Sequence, residues 1–503
     1  MADYGRHPRA RQEDQIQYAQ SSHGVPGLSS GWKCDGYDSR PQTRTVPPTP
    51  TLSITSYAIP FRLPGSQKDR QVLHYFCVQG SRDIAGYLGS DFWSTTVLQA
   101  SHAEPAVRQA LVSLSALHLD YVTGNPSNEG MGDILRLHGK ALRALRKRVE
   151  EPSPDATRAA LVCCVLFYCF ESTLGNSETA MHHLQGGLNL MSHHYGKTET
   201  HGVPRESPEL ETLSAVFERL DLQASMFDDG RQPALSLAQG TLASDLLEDS
   251  MSPFLQAEHA YDSLIKLHNW LFQFLAKHRA FKNTREEESI PTAILQGKHH
   301  LKDQLNRWKS RLEEFNRRSE QSTQTTCAIQ VLLILWRVSC MLLDAGFPAN
   351  ESIFGASPNT EAREVINLVS SVLEATRERN ASATVIKSPR RNFSSETGVV
   401  APLFILAMKC SDEWVCDRAV ELLSASQRRE GLYDSQAMAA IVQQFRAARE
   451  EMFAISDEGQ QATNAPLEIL FADGIDRASG CMDRKADFIK AYVSSPPNAY
   501  MYI

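Results

Sequence analysis

The sequence has few of the features that mark a secreted protein. Its ten cysteines are scattered singly except for Cys163 and Cys164, so no regular spacing suggests a disulfide framework. The first residues, MADYGRHPRARQEDQ, are polar and contain no apolar core of a signal peptide. Together these two absences predict a reducing compartment, the cytosol or the nucleus.

Long apolar runs are also scarce. The run LVCCVLFYCF at residues 161–170 has half the length of a membrane span, which needs about 20 residues. The run at residues 327–343 contains Gln330 and Arg337, and a charged residue at mid-span is costly. We therefore predict that both runs are buried helices and that the chain has no membrane partner.

An excess of basic charge is missing as well. The chain has 51 Lys and Arg residues against 59 Asp and Glu residues, a net charge of −8. DNA binding needs clustered positive charge to neutralise phosphates, so the chain as a whole is not a polyanion binder. Two local groups are candidates for nuclear import or phosphate contact, and the first could equally be a solvated helix face. They are Arg143, Arg146, Lys147 and Arg148 on a helical stripe, and Lys387, Arg390 and Arg391 in a loop.

The sequence contains none of the common catalytic motifs. Phosphate-binding glycine loops, a G-x-G-x-x-G after a strand, the G-x-S-x-G elbow and the H-E-x-x-H zinc motif are missing from the sequence. The pairs His182-His183 and His193-His194 each point to different sides of a helix, and His183 lies about 16 Å from His194 along the axis. We therefore expect capping and surface roles for these histidines, no catalytic residue and no bound cofactor.

Helical periodicity is what the sequence has in abundance. Residues 1–70 are rich in Ser, Pro and Thr and are expected to be disordered. From residue 71 to about 455, apolar residues recur at helical spacing and predict an all-α fold. Residues 456–503 lose this periodicity and are expected to form a tail. Within it, residues 466–476 (PLEILFADGID) mix acidic and apolar residues, which fits an activation segment or a packed helix.

Several local features of the helical region can be tested directly. One helix is expected at residues 400–424, and a loop is expected at residues 380–397. Gly175 is predicted to end a helix, and Gly186-Gly187 to mark a helix end or a close packing point. Strand signals are almost absent.

A short segment at about residues 24–37 resembles the end of a fungal binuclear zinc cluster (Zn₂Cys₆). The residues Cys34-Asp-Gly-Tyr37 match the last ligand and the D-G-Y that commonly follows it. The two preceding ligand positions fall on Gly24 and Gly27, and no cysteine precedes Cys34. Such modules fold only around their metal, and glycine has no donor. We expect Cys34 to be a remnant that binds no zinc, with zinc and DNA as partners only if upstream coding sequence completes a cluster.

Most of the remaining chain resembles the regulatory region that follows such clusters, the fungal-specific transcription factor domain. The resemblance lies in residues 73–118, 174–190, 217–227 and 419–435, with motifs such as GYL, DFW, VLQASH and RREGLYDS. It implies a large bundle of antiparallel helices in a nuclear regulator, often of one pathway such as a secondary-metabolite gene cluster. It also implies other transcription factors or coactivators as partners, and homodimers.

Three functions remain open at this point. The chain is a transcriptional regulator, a co-regulator that does not bind DNA, or a helical ligand sensor with an interior pocket. The predicted organisation is an N-terminal region at 1–70, a regulatory domain at 71–455 and a tail at 456–503.

Overall fold

The computed structural model describes a single run of helices with short gaps. It covers residues 64–455 apart from residues 125–127, 199–207, 228–230, 232, 235–252, 321, 382–385 and 387–388. The expected zinc-cluster remnant with Cys34, the linker before residue 64, the tail after residue 455 and Lys387 therefore lie outside the described residues. The first helix begins at Gln67, because Ser66 and Asp69 form a reciprocal capping box there. The described helices thus start slightly before the predicted boundary at residue 71.

Helices joined by short connections build the first half of the fold. They are α1 (Gln67–Tyr75), α2 (Ser81–Ala85), α3 (Val97–Ala103), α4 (Pro105–Thr123), α5 (Asn128–Val149), α6 (Pro154–Leu174), α7 (Ser177–Thr198) and α8 (Pro208–Phe227). Short π-helical turns, Phe76–Gly80 and Phe92–Thr96, flank α2. Gly175 ends α6 with a φ of 86°, a left-handed conformation, so the predicted helix end is confirmed.

The second half is also helical. Its helices are α9 (Ala257–Lys277), α10 (Thr292–Arg318), α11 (Thr323–Asp344), α12 (Ser352–Gly355), α13 (Thr360–Ala381), α14 (Val400–Lys409), α15 (Glu413–Ser426) and α16 (Ser435–Ile455). Two 3₁₀ turns, Arg279–Phe281 and Glu287–Ser289, lie between α9 and α10. The all-α prediction is confirmed for the described part of the chain.

The single helix predicted at residues 400–424 is wrong, because the chain breaks there into α14 and α15. Asp412 explains the break. Its carboxylate accepts the Trp414 N–H at 3.2 Å as the N-cap of α15, and it also accepts a hydrogen bond from Arg363 Nε at 2.7 Å. The apolar periodicity runs through the break, so it does not reveal either of these hydrogen bonds.

The adjacent glycines of α7 have different roles. Both lie inside the helix rather than at its end. A Cβ atom built on Gly187 would lie 2.2 Å from the Phe217 ring of α8, whereas one built on Gly186 meets nothing within 4 Å. Gly187 is therefore a close packing point between α7 and α8, and Gly186 faces outward.

A small three-stranded sheet has its first strand inside the loop that was predicted at residues 380–397. Strand β1 (Asn392–Ser394) pairs in parallel with β2 (Arg428–Glu430), and β2 pairs antiparallel with β3 (Tyr433–Asp434). Strands of two or three residues are too short to show an alternating pattern, which is why the sequence did not reveal them. Just before β1, the Arg390 N–H donates to the Val122 carbonyl at the end of α4, at 2.9 Å. The sheet therefore brings a late segment of the chain back to the first helices.

Buried apolar side chains form two clusters, which we call the N-terminal core and the C-terminal core. The N-terminal core is built from the first half of the fold and adds Phe393 of β1 and Leu432. The C-terminal core is built from the second half and adds Tyr87, Leu88 and Leu222. The two apolar runs now lie in α6 and α11, whose most apolar windows are 78% and 72% buried. Each helix lies in one of the cores, as predicted for buried helices.

Three buried charged residues, Arg219, Glu396 and Glu430, connect elements that belong to the two cores. We call these residues and their partners the polar seam. Arg219 of α8, with a side chain only 1% exposed, donates from Nε to Asp262 Oδ1 at 2.8 Å and from Nη2 to Glu258 Oε1 at 3.1 Å. Its Nη1 also reaches Glu396 Oε1 at 3.4 Å. Burial raises the pKa of Glu396 to about 7. One cation thus links α8, α9 and the segment that follows β1.

A second buried carboxylate in the polar seam belongs to Glu430 of β2. It accepts the backbone N–H groups of Gly398, Val399 and Val400, at 2.9 to 3.1 Å, where α14 begins. These N–H groups have no partner within the helix, and the helix dipole favours a negative charge at this end. Glu430 therefore replaces an N-cap side chain and fixes β2 against α14.

Candidate functional site

The basic group of Arg143, Arg146, Lys147 and Arg148 lies on α5, which packs against α4 and α6. Arg143, Arg146 and Lys147 are exposed, and their role in import or phosphate contact stays a prediction. Three large apolar side chains at seven-residue spacing share this outer surface: Leu135, Leu142 and Val149, which are 48%, 38% and 43% exposed. We call this surface the outer face of α5, and it combines positive charge with exposed apolar area.

Arg148 differs from the other three basic residues of the group. Its guanidinium donates from Nε and Nη2 to the two carboxylate oxygens of Glu104, both at 3.0 Å. Glu104 precedes α4 directly, with Pro105 in the first turn. The Arg148–Glu104 pair is bidentate and partly buried, so Arg148 joins α5 to the start of α4 rather than facing a partner.

The second basic group is held against α4. Arg390 Nη1 donates to the carbonyl of Gly124 at 3.4 Å, and the Arg391 guanidinium lies 5.6 Å from the centre of the Tyr121 ring. Both residues are exposed, and Lys387 lies outside the described residues. The structure brings Arg390 and Arg391 together at one helix end but does not join them to the outer face of α5, so their roles in import or phosphate contact stay predictions.

A cluster of potential metal ligands lies on the other side of α5. His138 of α5, Glu171 of α6 and His183 of α7 each offer one ligand atom, and these atoms lie within 4.8 Å of one another. His138 and Glu171 are buried and His183 is half-buried. His138 Nε2 lies 3.2 Å from Glu171 Oε1. The burial of His183 lowers the pKa of its imidazole, which favours the neutral form.

Only His183 of this cluster was a candidate from the sequence, as a member of one of the two histidine pairs. The sequence did not indicate His138 or Glu171 as ligands. Glu171 carried a usable signal, because a carboxylate near the end of the apolar helix α6 needs a partner if it is buried. The pairing itself could not be read from the sequence, since His138, Glu171 and His183 lie on three different helices.

A shallow groove is present in the part of the surface that the structure describes. It lies between α15 and α16, has a volume of about 410 Å³, and is crossed by an ion pair from Arg446 Nη1 to Asp417 Oδ1 at 2.7 Å. Ligand pockets are usually concave and largely apolar. This groove is open rather than enclosed and is lined by charged residues such as Asp417 and Glu421, so it does not favour the ligand-sensor alternative.

The relation of the chain to known proteins follows from its helical region. A family model described as the fungal specific transcription factor domain matches residues 71–445. The chain belongs to this family. The match spans α5, the ligand cluster, both cores and the polar seam, so these features lie within a fungal specific transcription factor domain. The protein is a transcriptional regulator, as the resemblance implied.

Two curated relatives show how far this likeness extends. The chain is 22% identical over 548 aligned residues to the "Aspercryptin biosynthesis cluster-specific transcription regulator atnN" of Emericella nidulans, which covers 87% of this chain and 86% of that protein. It is 29% identical over 222 residues to the "Transcription regulator lscL" of Purpureocillium lilacinum, which covers 38% of this chain and 51% of that protein. No solved structure matches the chain.

Proposed function

We propose that this regulator acts in the nucleus and controls the genes of one biosynthetic cluster. The observation that carries this proposal is the alignment with the aspercryptin cluster regulator, which spans most of both chains. The family match supports it, because the matched region contains the whole described helical domain except the first turn of α1 and the last turns of α16. A family domain alone gives a class of function, so the pathway has to be found by experiment.

Transcript profiling tests this proposal directly. The gene would be deleted and overexpressed in the organism that encodes it, and RNA would be sequenced under conditions that induce secondary metabolism. We expect the largest changes in contiguous genes that encode enzymes of one pathway. Changes spread evenly across the genome, or no change in either strain, would contradict regulation of a single cluster.

The outer face of α5 is the surface on which we place contact with partner proteins, such as other transcription factors or coactivators. Exposed positive charge next to exposed apolar area favours an acidic, apolar segment of a coactivator or transcription factor. Contact with a second copy through the same face would bring like charges together. Arg143, Arg146 and Lys147 would lie opposite the partner's acidic residues.

A charge-reversal triple variant tests this surface against a matched control. Arg143, Arg146 and Lys147 would be changed to Glu, and the control would change three exposed basic residues of the second half in the same way: Arg307→Glu, Arg377→Glu and Lys277→Glu. Regulation of the target genes should be lost with the first variant and kept with the second, at equal protein levels. Equal activity of both variants would exclude the outer face of α5 as a partner surface.

A co-regulator that does not bind DNA is the second candidate. It is favoured by Gly24 and Gly27, which fall on ligand positions of the zinc cluster but have no side-chain atom that can bind zinc. Chromatin immunoprecipitation with this chain, expressed from Met1, separates the two candidates. A co-regulator should be enriched at target promoters only when its partner factor is present. Enrichment that persists after deletion of every other factor found at those promoters would favour direct DNA binding.

A further inference from the structure

We propose that His138, Glu171 and His183 form a binding site for a divalent transition metal ion, with Zn²⁺ as the best match. The site would join α5, α6 and α7 inside the N-terminal core. It is separate from the zinc-cluster remnant near Cys34 and does not depend on the proposed function.

The geometry is close to that of a three-ligand metal site. Bonds from zinc to His and carboxylate ligands are about 2.0–2.2 Å long, which places the ligand atoms of a tetrahedral site about 3.3 Å apart. His138 Nε2 and Glu171 Oε1 are already 3.2 Å apart. All three ligand atoms lie within 4.8 Å of one another, so the ligands would have to move closer by about 1.5 Å at most to surround a metal ion.

His138 is the observation that points to a ligand. Its side chain is buried, with the residue only 6% exposed, yet neither ring nitrogen makes a hydrogen bond to any residue that the structure describes. Nε2 is near Glu171 Oε1, but the contact lacks the angles of a hydrogen bond. Buried polar atoms almost always have a partner, since an unsatisfied one costs about 1–3 kcal/mol. A metal ion on Nε2 would supply this partner.

The surroundings hold two of the ligands in place. Asn176 Nδ2 donates to Glu171 Oε2 at 3.1 Å, which leaves Oε1 directed toward His138. The His138 ring stacks on Phe170 at a centroid distance of 3.9 Å and meets the edge of Phe167 at 5.1 Å. A hydrogen bond that orients a ligating carboxylate, like the one from Asn176, is typical of metal sites.

The donor types select the metal. Two imidazoles and one carboxylate suit Zn²⁺, and they match the two-histidine, one-carboxylate sets of zinc sites with an open fourth position. Ca²⁺ and Mg²⁺ prefer oxygen ligands and would bind weakly. Because His183 is only half-buried, water could reach the fourth position of a metal bound there.

Metal analysis of the full chain, purified without a histidine tag, tests the proposal. The protein would be stripped with EDTA, titrated with Zn²⁺ against a chromophoric chelator, and its metal content measured after desalting. We expect one zinc ion per chain. His183→Gln should weaken binding by about 100-fold or more, whereas the neighbouring exposed His182→Gln should leave it unchanged.

Co²⁺ provides a second readout that also separates this site from a zinc cluster. Bound Co²⁺ should give visible absorption bands in the wild type and in His182→Gln but not in His183→Gln. The bands should persist in Cys34→Ala. In all of these proteins the near-ultraviolet absorption of a cobalt–thiolate bond should be missing, because the proposed ligands include no cysteine. In EDTA, the free energy of unfolding should be the same for His183→Gln and wild type. This control shows that loss of metal binding does not result from loss of the fold. Equal zinc in the His183→Gln and His182→Gln proteins, or no retained zinc in the wild type, would overturn the proposal.

Discussion

The polar seam and the outer face of α5 both depend on charged side chains, but burial gives those charges different consequences. In the polar seam, Arg219 is surrounded by three carboxylates, and its side chain is only 1% exposed. On the outer face of α5, Arg143 and Arg146 are surrounded by solvent. Coulomb attraction is far stronger, and loss of a partner far more costly, in the interior than at the surface. Charge therefore holds the fold together in the first region and is available for recognition in the second.

The strongest test of this contrast removes the central cation of the polar seam. Arg219→Leu leaves the carboxylates of Glu258, Asp262 and Glu396 without their shared partner, and we expect a loss of about 3–5 kcal/mol in the free energy of unfolding. The matched surface variant is Arg285→Leu, because Arg285 pairs with Glu351 while both are exposed. It should cost less than about 1 kcal/mol. Urea unfolding measures both, and similar losses would refute the contrast.

The pH dependence of stability should sharpen the contrast next. The pKa of Glu396 is raised from 4.5 to about 7, so between these values the folded chain holds a proton that the unfolded chain releases. The contribution of Glu396 to the free energy of unfolding should therefore fall as the pH rises through this window, by about 3 kcal/mol at most. Glu396→Gln should remove this slope.

Two buried histidines oppose the slope from Glu396, so only a difference curve isolates it. Burial lowers the pKa of His118 to about 4 and that of His268 to about 3. Their unfolded forms take up protons below about pH 6.5, which makes stability rise with pH in this range. Urea unfolding of Glu396→Gln and wild type should be compared at each pH, and parallel curves would contradict the assignment to Glu396.

An uncharged change inside the N-terminal core should have an intermediate effect. Gly187→Ala places a methyl group against the Phe217 ring, and overpacking of this kind costs about 1–3 kcal/mol. Gly186→Ala adds the same group to the open side of the same helix and should stabilise the fold by about 0.5–1 kcal/mol. Thermal unfolding should move in opposite directions for the two variants, and a shared direction would contradict the described packing.

The smallest effect on stability is expected at the outer face of α5. Changing Arg143, Arg146 and Lys147 together to Ala should alter the free energy of unfolding by no more than about 0.5 kcal/mol, because these side chains are exposed. Arg148→Ala should be more destabilising than any one of these changes, since it breaks the bidentate pair with Glu104. Urea unfolding compares them, and a larger loss from the triple variant would show that the surface is part of the fold.

The parts of the fold that follow from local patterns could be predicted from the sequence. Apolar spacing predicted the helical region from residue 71 to about 455, and Gly175 was correctly placed at a helix end. Features that depend on distant residues could not be predicted. The Asp412–Arg363 contact that breaks the helix at 400–424 joins different helices, and so does the Arg219 network.

The candidate site divides in the same way. The basic stripe of α5 was visible in the sequence, but the inward turn of Arg148 was not, because Glu104 is 44 residues away along the chain. The cluster of His138, Glu171 and His183 was missed for the same reason. In a helical protein, periodicity shows which face is buried but does not show which buried polar groups meet.

The return of β1 to the first helices has a consequence for synthesis of the protein. A ribosome that has just completed α8 has made every helix of the N-terminal core, but neither Phe393 nor Leu432. The nascent chain therefore exposes an incomplete apolar surface until the last quarter of translation. Before that point, this surface can bind chaperones or aggregate. A gene fragment that stops before residue 392 would leave this surface uncovered permanently, so dividing the domain at its midpoint should yield an insoluble first half.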